Sequence, residues 1–75
     1  MKKYEFTGET KVSDGVILNR IRALRDFADV EAGDIGGWIE AEENLSHDGD
    51  AWVYGDALVY ENARVYENAR VSGNN

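Results

Sequence analysis

The residue with the most evident chemical capacity is His47, the one histidine of the chain. It stands in Ser46-His47-Asp48-Gly49-Asp50, a loop expected just ahead of the repeat, and an imidazole is a common general base. The plainer reading is a solvent-facing loop histidine next to a tight Asp-Gly turn. With no cysteine and one histidine, the chain has no nitrogen and sulfur set that would close a zinc site. Asp48 and Asp50, with Glu42 and Glu43 nearby, could offer oxygens to calcium. Their spacing matches neither an EF-hand loop nor the nonapeptide calcium repeat. Ser13, Ser46 and Ser72 each adjoin turn residues, and no serine–histidine–acid set is spaced for nucleophilic catalysis. Gly33, Gly36 and Gly37 read as backbone shape, because no G-x-G-x-x-G and no following Lys-Ser/Thr appear. The expectation is no cofactor, no metal, and no catalytic residue beyond the candidate His47.

The charge pattern bears on partners. The chain has 75 residues and a formal net charge of −7. Residues 1–30 are near balance, with Lys2, Lys3, Lys11, Arg20, Arg22 and Arg25 against a similar number of acids. Residues 31–50 carry Glu31, Asp34, Glu40, Glu42, Glu43, Asp48 and Asp50 and no basic residue. Such a segment repels a phosphate backbone, so direct nucleic-acid binding is disfavoured. It keeps a small domain soluble, and could also attract a basic protein or imitate nucleic acid.

These side chains must be held by a small core. A chain of this length makes one domain at most and buries little surface, so disulfides, metals or oligomerisation usually supplement it. Without cysteine, oligomerisation is the expected supplement. Met1-Lys2-Lys3 begins like a secretion signal, but Tyr4-Glu5-Phe6-Thr7 stands where an apolar stretch would have to follow. No apolar run is long enough for a membrane span. The sequence reads as a soluble, cytoplasmic protein that does not bind membranes.

The organising element is a repeat that begins at Ala51: AWVYGD, ALVYEN, ARVYEN, ARVSGN. Ala51, Ala57, Ala63 and Ala69 share its first position, and Val53, Val59, Val65 and Val71 its third. Residues two apart in extended chain point to one face, so alanine and valine line one interior. By the same parity Trp52, Leu58, Arg64 and Arg70 point outward, as do Tyr54, Tyr60, Tyr66 and Ser72. Gly, Asn and Asp near the repeat ends tolerate the bent backbone of a corner. Stacked parallel coils of about eighteen residues each, three sides to a coil, satisfy this pattern. A β-meander with hairpins at Gly55-Asp56, Glu61-Asn62 and Glu67-Asn68 also fits the spacing, although Glu-Asn is a poor hairpin turn. Four repeats make little more than one coil, which leaves strand edges to be covered.

Ahead of the repeat, Tyr4–Thr7 and Thr10–Val12 read as strand with a turn near Gly8, and Ser13-Asp14-Gly15 as a turn. Val16–Ala23 fits a strand, and it also fits a helix striped by Ile17, Ile21 and Leu24; its β-branched start favours the strand. Trp38 and Ile39 are expected to plug the top of the prism. Ile39 and Leu45, six apart, suggest one degenerate hexapeptide before the regular ones.

The runs RALRDF and AGDIGGWIEAEENLS, within residues 22–46, resemble a cap found ahead of hexapeptide repeats in a family of bacterial and phage proteins described as hexapeptide-repeat transferases. The resemblance implies an N-terminal β cap and a left-handed parallel β-helix; the handedness comes from the family and not from the spacing. Acyltransferases of that kind use a histidine as general base, for which this chain offers only His47.

The expected architecture is all-β: an N-terminal β cap over 1–46, then a short left-handed parallel β-helix of hexapeptide repeats over 47–75. The expected function is a non-catalytic, oligomeric interaction or scaffold protein, in a phage setting a modulator of a host protein in the host cytoplasm. Its partners would be itself, as homodimer or homotrimer, and a further protein. The expected interaction surface comprises Trp52, Tyr54, Tyr60, Tyr66, Glu40, Glu42 and Glu43. The alternative is an acyltransferase of the hexapeptide-repeat family or a fragment of one.

Overall fold

The computed structural model describes residues 2–73. Among them are six strands and one short 3-10 turn, with no α-helix: β1 (Tyr4–Ser13), β2 (Val16–Ala23), β3 (Ile35–Ile39), the turn Glu42–Asn44, β4 (Trp52–Gly55), β5 (Leu58–Val59) and β6 (Arg70–Gly73). The chain is all-β, and its sheets mix antiparallel and parallel pairing.

The antiparallel part is local. β1 and β2 form a hairpin in which Ser13 pairs with Val16. Asp14 and Gly15 both take left-handed backbone, φ 52° and 79°, as a two-residue hairpin loop matched to strand twist requires. The turn expected near Gly8 is an irregularity within one continuous strand, between Phe6 and Thr10. β2 then pairs antiparallel with β3. The helical reading of 16–24 does not form, because Ile21 and Ala23 are needed on one face of a pleated strand, where both are buried.

From Ile35 onward the pairing is parallel and long-range. Trp38 lies beside Leu58 and Ile39 beside Val59. Leu45 bridges Val65, and Trp52–Gly55 lies beside Arg70–Gly73. The chain therefore passes along three sides and returns beside itself. Backbone bonds such as Trp38 N–H to Ala57 O at 3.0 Å and Ser46 N–H to Val65 O at 2.9 Å join the two turns. The hairpins of a β-meander are absent from these residues; the repeat places parallel neighbours instead. The first turn draws residues from both sides of position 46, since Trp38, Ile39 and Leu45 stack on the repeat.

Corners recur every sixth residue. Gly49, Gly55, Glu61 and Glu67 all have left-handed backbone, with φ of 71°, 57°, 58° and 57°. Behind three of them a short backbone bond closes the corner: Ala57, Ala63 and Ala69 donate to Tyr54, Tyr60 and Tyr66. Ile39, Leu45, Val53, Val59 and Val65 are buried in one core cluster with Ala51 and Ala57. Each such aliphatic side chain contributes about 1.5–3 kcal/mol on full burial. On the second turn the pattern opens: Ala63 and Ala69 are exposed and Val71 is half-buried.

Gly36 and Gly37 explain the glycine pair before Trp38. A Cβ on Gly36 would stand 2.7 Å from both the Trp52 ring and the Val53 carbonyl, and one on Gly37 2.6 Å from Val53 Cγ1. β3 passes too close to β4 for any side chain at either position. Residues 24–34 fold back as an arm, closed by mutual Phe27 and Val30 backbone bonds of 2.9 and 2.7 Å. No helix among the described residues is long and apolar enough to cross a membrane.

Candidate functional site

His47 lies where the cap meets the coil, and it is not a free loop residue. Its ring stacks on Tyr4, with centroids 4.1 Å apart and planes 9° from parallel. Nδ1 accepts the backbone N–H of Lys3 at 3.0 Å, and Nε2 stands 2.9 Å from Glu42 Oε1. An acceptor Nδ1 carries no proton, so Nε2 holds the N–H and donates it to the carboxylate. Both nitrogens are committed. A general base needs a free lone pair aimed at a substrate proton, and His47 gains one only by releasing the Lys3 amide.

The neighbours form one network. Tyr4 donates its hydroxyl to Leu45 O at 2.6 Å, and burial pushes its ionisation well above the ordinary range, with Glu42 adding to the effect. Lys3 is fully buried; its ammonium donates to Ala51 O at 2.6 Å and lies 4.8 Å from the Phe27 ring centre. Burial brings this amine down to about 8, helped by Arg25 and opposed by Asp50 and Asp48. Glu42 is held below the usual carboxylate range by its bond from His47 and then by Lys2. Lys2 reaches it at 3.2 Å. A pocket of about 310 Å³ opens beside this network, lined by Glu42, Glu43, Ser46, His47, Arg64 and Tyr66 over Leu45 and Val65.

The outward residues distribute differently from a single stripe. Six residues span one side of the coil, so residues six apart fall on neighbouring sides. Tyr54 lies within β4, Tyr60 follows β5, and Tyr66 follows the Val65 bridge; the three tyrosines belong to three different parallel pairings and form no row. Trp52, expected outward and free, is 2% exposed. It shares a side of the sheet with exposed Arg70, and the arm covers it: Phe27 meets its ring edge-on at 5.2 Å and Tyr4 at 6.4 Å. Tyr54 donates to Asp29 Oδ1 at 2.9 Å, and Arg70 reaches the same oxygen at 2.8 Å. These two bonds, Tyr54's first, lower the Asp29 carboxyl. Glu40 is committed as well, accepting the Glu61 N–H at 2.8 Å. Glu42 and Glu43 line the pocket together; Glu40 stands apart from them.

Asn44 is the residue that sequence reasoning missed. It is 2% exposed. Its Oδ1 accepts the Ala41 N–H at 2.8 Å, while Nδ2 donates to Ala63 O at 2.8 Å and Glu61 O at 3.3 Å. Its own carbonyl accepts the Val65 N–H. One side chain thus ties the first turn to the second. The available signal was an asparagine just before Leu45, at the corner of the degenerate hexapeptide. Among the described residues no three histidine, aspartate or glutamate side chains converge for a metal ion.

The chain is all-β, with two parallel ladders and one isolated parallel bridge beside an antiparallel hairpin. No family model matches the sequence. The chain is 40% identical over 62 residues to a protein of Escherichia coli (strain K12) named uncharacterized acetyltransferase YdcK. That similarity takes in 72% of this chain and 19% of the relative, so the chain spans about a fifth of the length of the curated protein it matches.

Proposed function

We propose that the chain is a cap and first coils of a hexapeptide-repeat acyltransferase, wound as a left-handed parallel β-helix. The observation that carries this reading is the parallel stacking of Trp38 on Leu58, Leu45 on Val65 and Trp52 on Arg70, in a chain similar to a protein named an acetyltransferase. In acyl transfer an amine or hydroxyl attacks the thioester carbonyl, the new acyl bond forms, the carbon–sulfur bond breaks with its electron pair going to sulfur, and a base passes the acceptor's proton to the departing thiolate. His47 does not serve as that base here, since Lys3 and Glu42 hold both ring nitrogens. Its role is to fasten the start of the chain, through Tyr4 and Lys3, to the segment that leads into β4. The test is calorimetric titration of acetyl-CoA into the purified chain. Saturable binding at micromolar to millimolar concentration supports the reading, and no heat at millimolar donor contradicts it.

The commitment of the lone histidine favours a second reading, a non-catalytic scaffold that associates with itself as dimer or trimer and binds another protein. The exposed Ala63 and Ala69 of the second turn support self-association, because small side chains let another copy's backbone approach closely. Light scattering that shows a folded monomer at high micromolar concentration contradicts it.

A further inference from the structure

The outer face of the four-stranded sheet carries a cluster that no part of the proposed function uses. Trp38 on β3 is 5% exposed and its indole N–H is buried without an acceptor. A buried donor left unpaired is destabilising and rare in folded proteins, so it calls for an explanation. Two cations cover the ring. The Lys11 ammonium lies 4.5 Å from the ring centre and the Arg20 guanidinium 4.9 Å. Arg20 is fixed in place, donating Nε to Gly36 O at 2.9 Å and Nη2 to Gly55 O at 3.4 Å. Lys11 is exposed and, among the described residues, forms no ion pair. In a chain of net charge −7, neither of these two cations forms an ion pair among the described residues. Leu18, fully buried, pairs with Lys11 across the hairpin and lies two residues from Arg20 on β2.

We propose that Trp38, Lys11 and Arg20 form a receptor for a phosphoryl oxyanion. Lys11, the mobile member, swings off the ring to meet the anion and uncovers the indole N–H, which donates to a second oxygen. The free N–H bonds of the Arg20 guanidinium take a third. Donors from three directions suit a tetrahedral phosphoryl group better than a planar carboxylate, and charge-assisted bonds of this kind are the strong ones. The phosphoryl group can be free phosphate or part of a larger ligand such as acetyl-CoA. Only the second source rests on the acyltransferase reading.

The probe is inorganic phosphate, followed by nitrogen-15 NMR of the two tryptophan indoles at constant ionic strength, with Trp38→Phe to assign the signals. The expected result is a saturable downfield shift of the Trp38 indole proton at millimolar phosphate, with Trp52 unmoved and acetate at least several-fold weaker. Lys11→Gln should weaken phosphate at least about tenfold, the loss of one charge-assisted bond at 1.4 kcal/mol per decade. Equal shifts of both indoles, no saturation, or an unchanged affinity in Lys11→Gln overturns the proposal. A separate acetyl-CoA arm assigns the source. A Trp38 shift with acetyl-CoA at lower concentration than with phosphate makes the site part of a donor site. A phosphate response without tighter acetyl-CoA binding keeps the receptor and counts against the acyltransferase reading alone.

Discussion

The ring of His47 lies flat against the ring of Tyr4, 4.1 Å between centroids, while its Nδ1 takes the amide proton of Lys3. Two consecutive residues at the start of β1 are thereby fastened to the segment that leads into β4. The one histidine of the chain is structural in this geometry, and the consequences can be measured.

His47→Ala removes the stacked ring and strands the Lys3 N–H. The expected cost is about 1–3 kcal/mol, and each kcal/mol lowers the melting temperature by about 4–8 °C in a domain of this size. Thermal melts followed by circular dichroism check this. Acetyl-CoA affinity should stay within about twofold, because the ring has no free nitrogen to offer a substrate.

Lys3 makes stability depend on pH. Its folded value of about 8 lies below the ordinary 10.5 because burial penalises the ammonium. Between those values the unfolded chain holds a proton that the folded chain has released, so stability rises with pH across that window. Below about 8 the amine is charged in both states and the burial penalty is fully present. Tyr4, pushed upward, acts in the opposite sense only above its ordinary 10. Urea denaturation should therefore show stability rising from about pH 8 to pH 10, and Lys3→Met should flatten that rise.

Asn44→Ala leaves the Ala41 N–H and the Ala63 carbonyl without partners. The expected loss is about 2 kcal/mol or more. Hydrogen exchange should quicken at the Val65 amide, which bonds to Asn44 O, more than at the Trp52 amide, which bonds to Ala69 O.

Glu67 sits at a corner with φ 57°, a conformation that costs a side-chain-bearing residue about 1–2 kcal/mol. Glu67→Gly should stabilise the chain, by up to about 1 kcal/mol after glycine's entropy is counted. Gly49→Ala should do the reverse, since its φ is 71° and a Cβ would stand 2.7 Å from Glu67 O. Paired denaturation curves of the two variants settle the sign of each.

Much of the fold was legible because the repeat is a direct record of geometry. Val53, Val59 and Val65 face inward at their six-residue spacing, and Ile39 and Leu45 extend the series backward as read. Parity placed Trp52 on the correct side of its strand but could not show that Phe27 and Tyr4 cover it, because that contact joins residues far apart in sequence. The tyrosines misled for a related reason. A spacing of six looks like a row on paper and falls on three different pairings once the chain turns at every sixth residue. The Lys3–His47 bond was invisible for want of any pattern: a backbone amide donor leaves no trace in residue type. Asn44 carried a weak trace, a polar residue at a corner whose bonds only the second turn could reveal.

Nuclear Overhauser contacts decide between parallel stacking of the repeat and hairpins. Parallel stacking brings Ile39 against Val59, Leu45 against Val65 and Val53 against Val71, and contacts between the members of each pair are expected. Cross-strand contacts between Val59 and Val65 in an antiparallel pattern, with those three absent, would contradict parallel stacking.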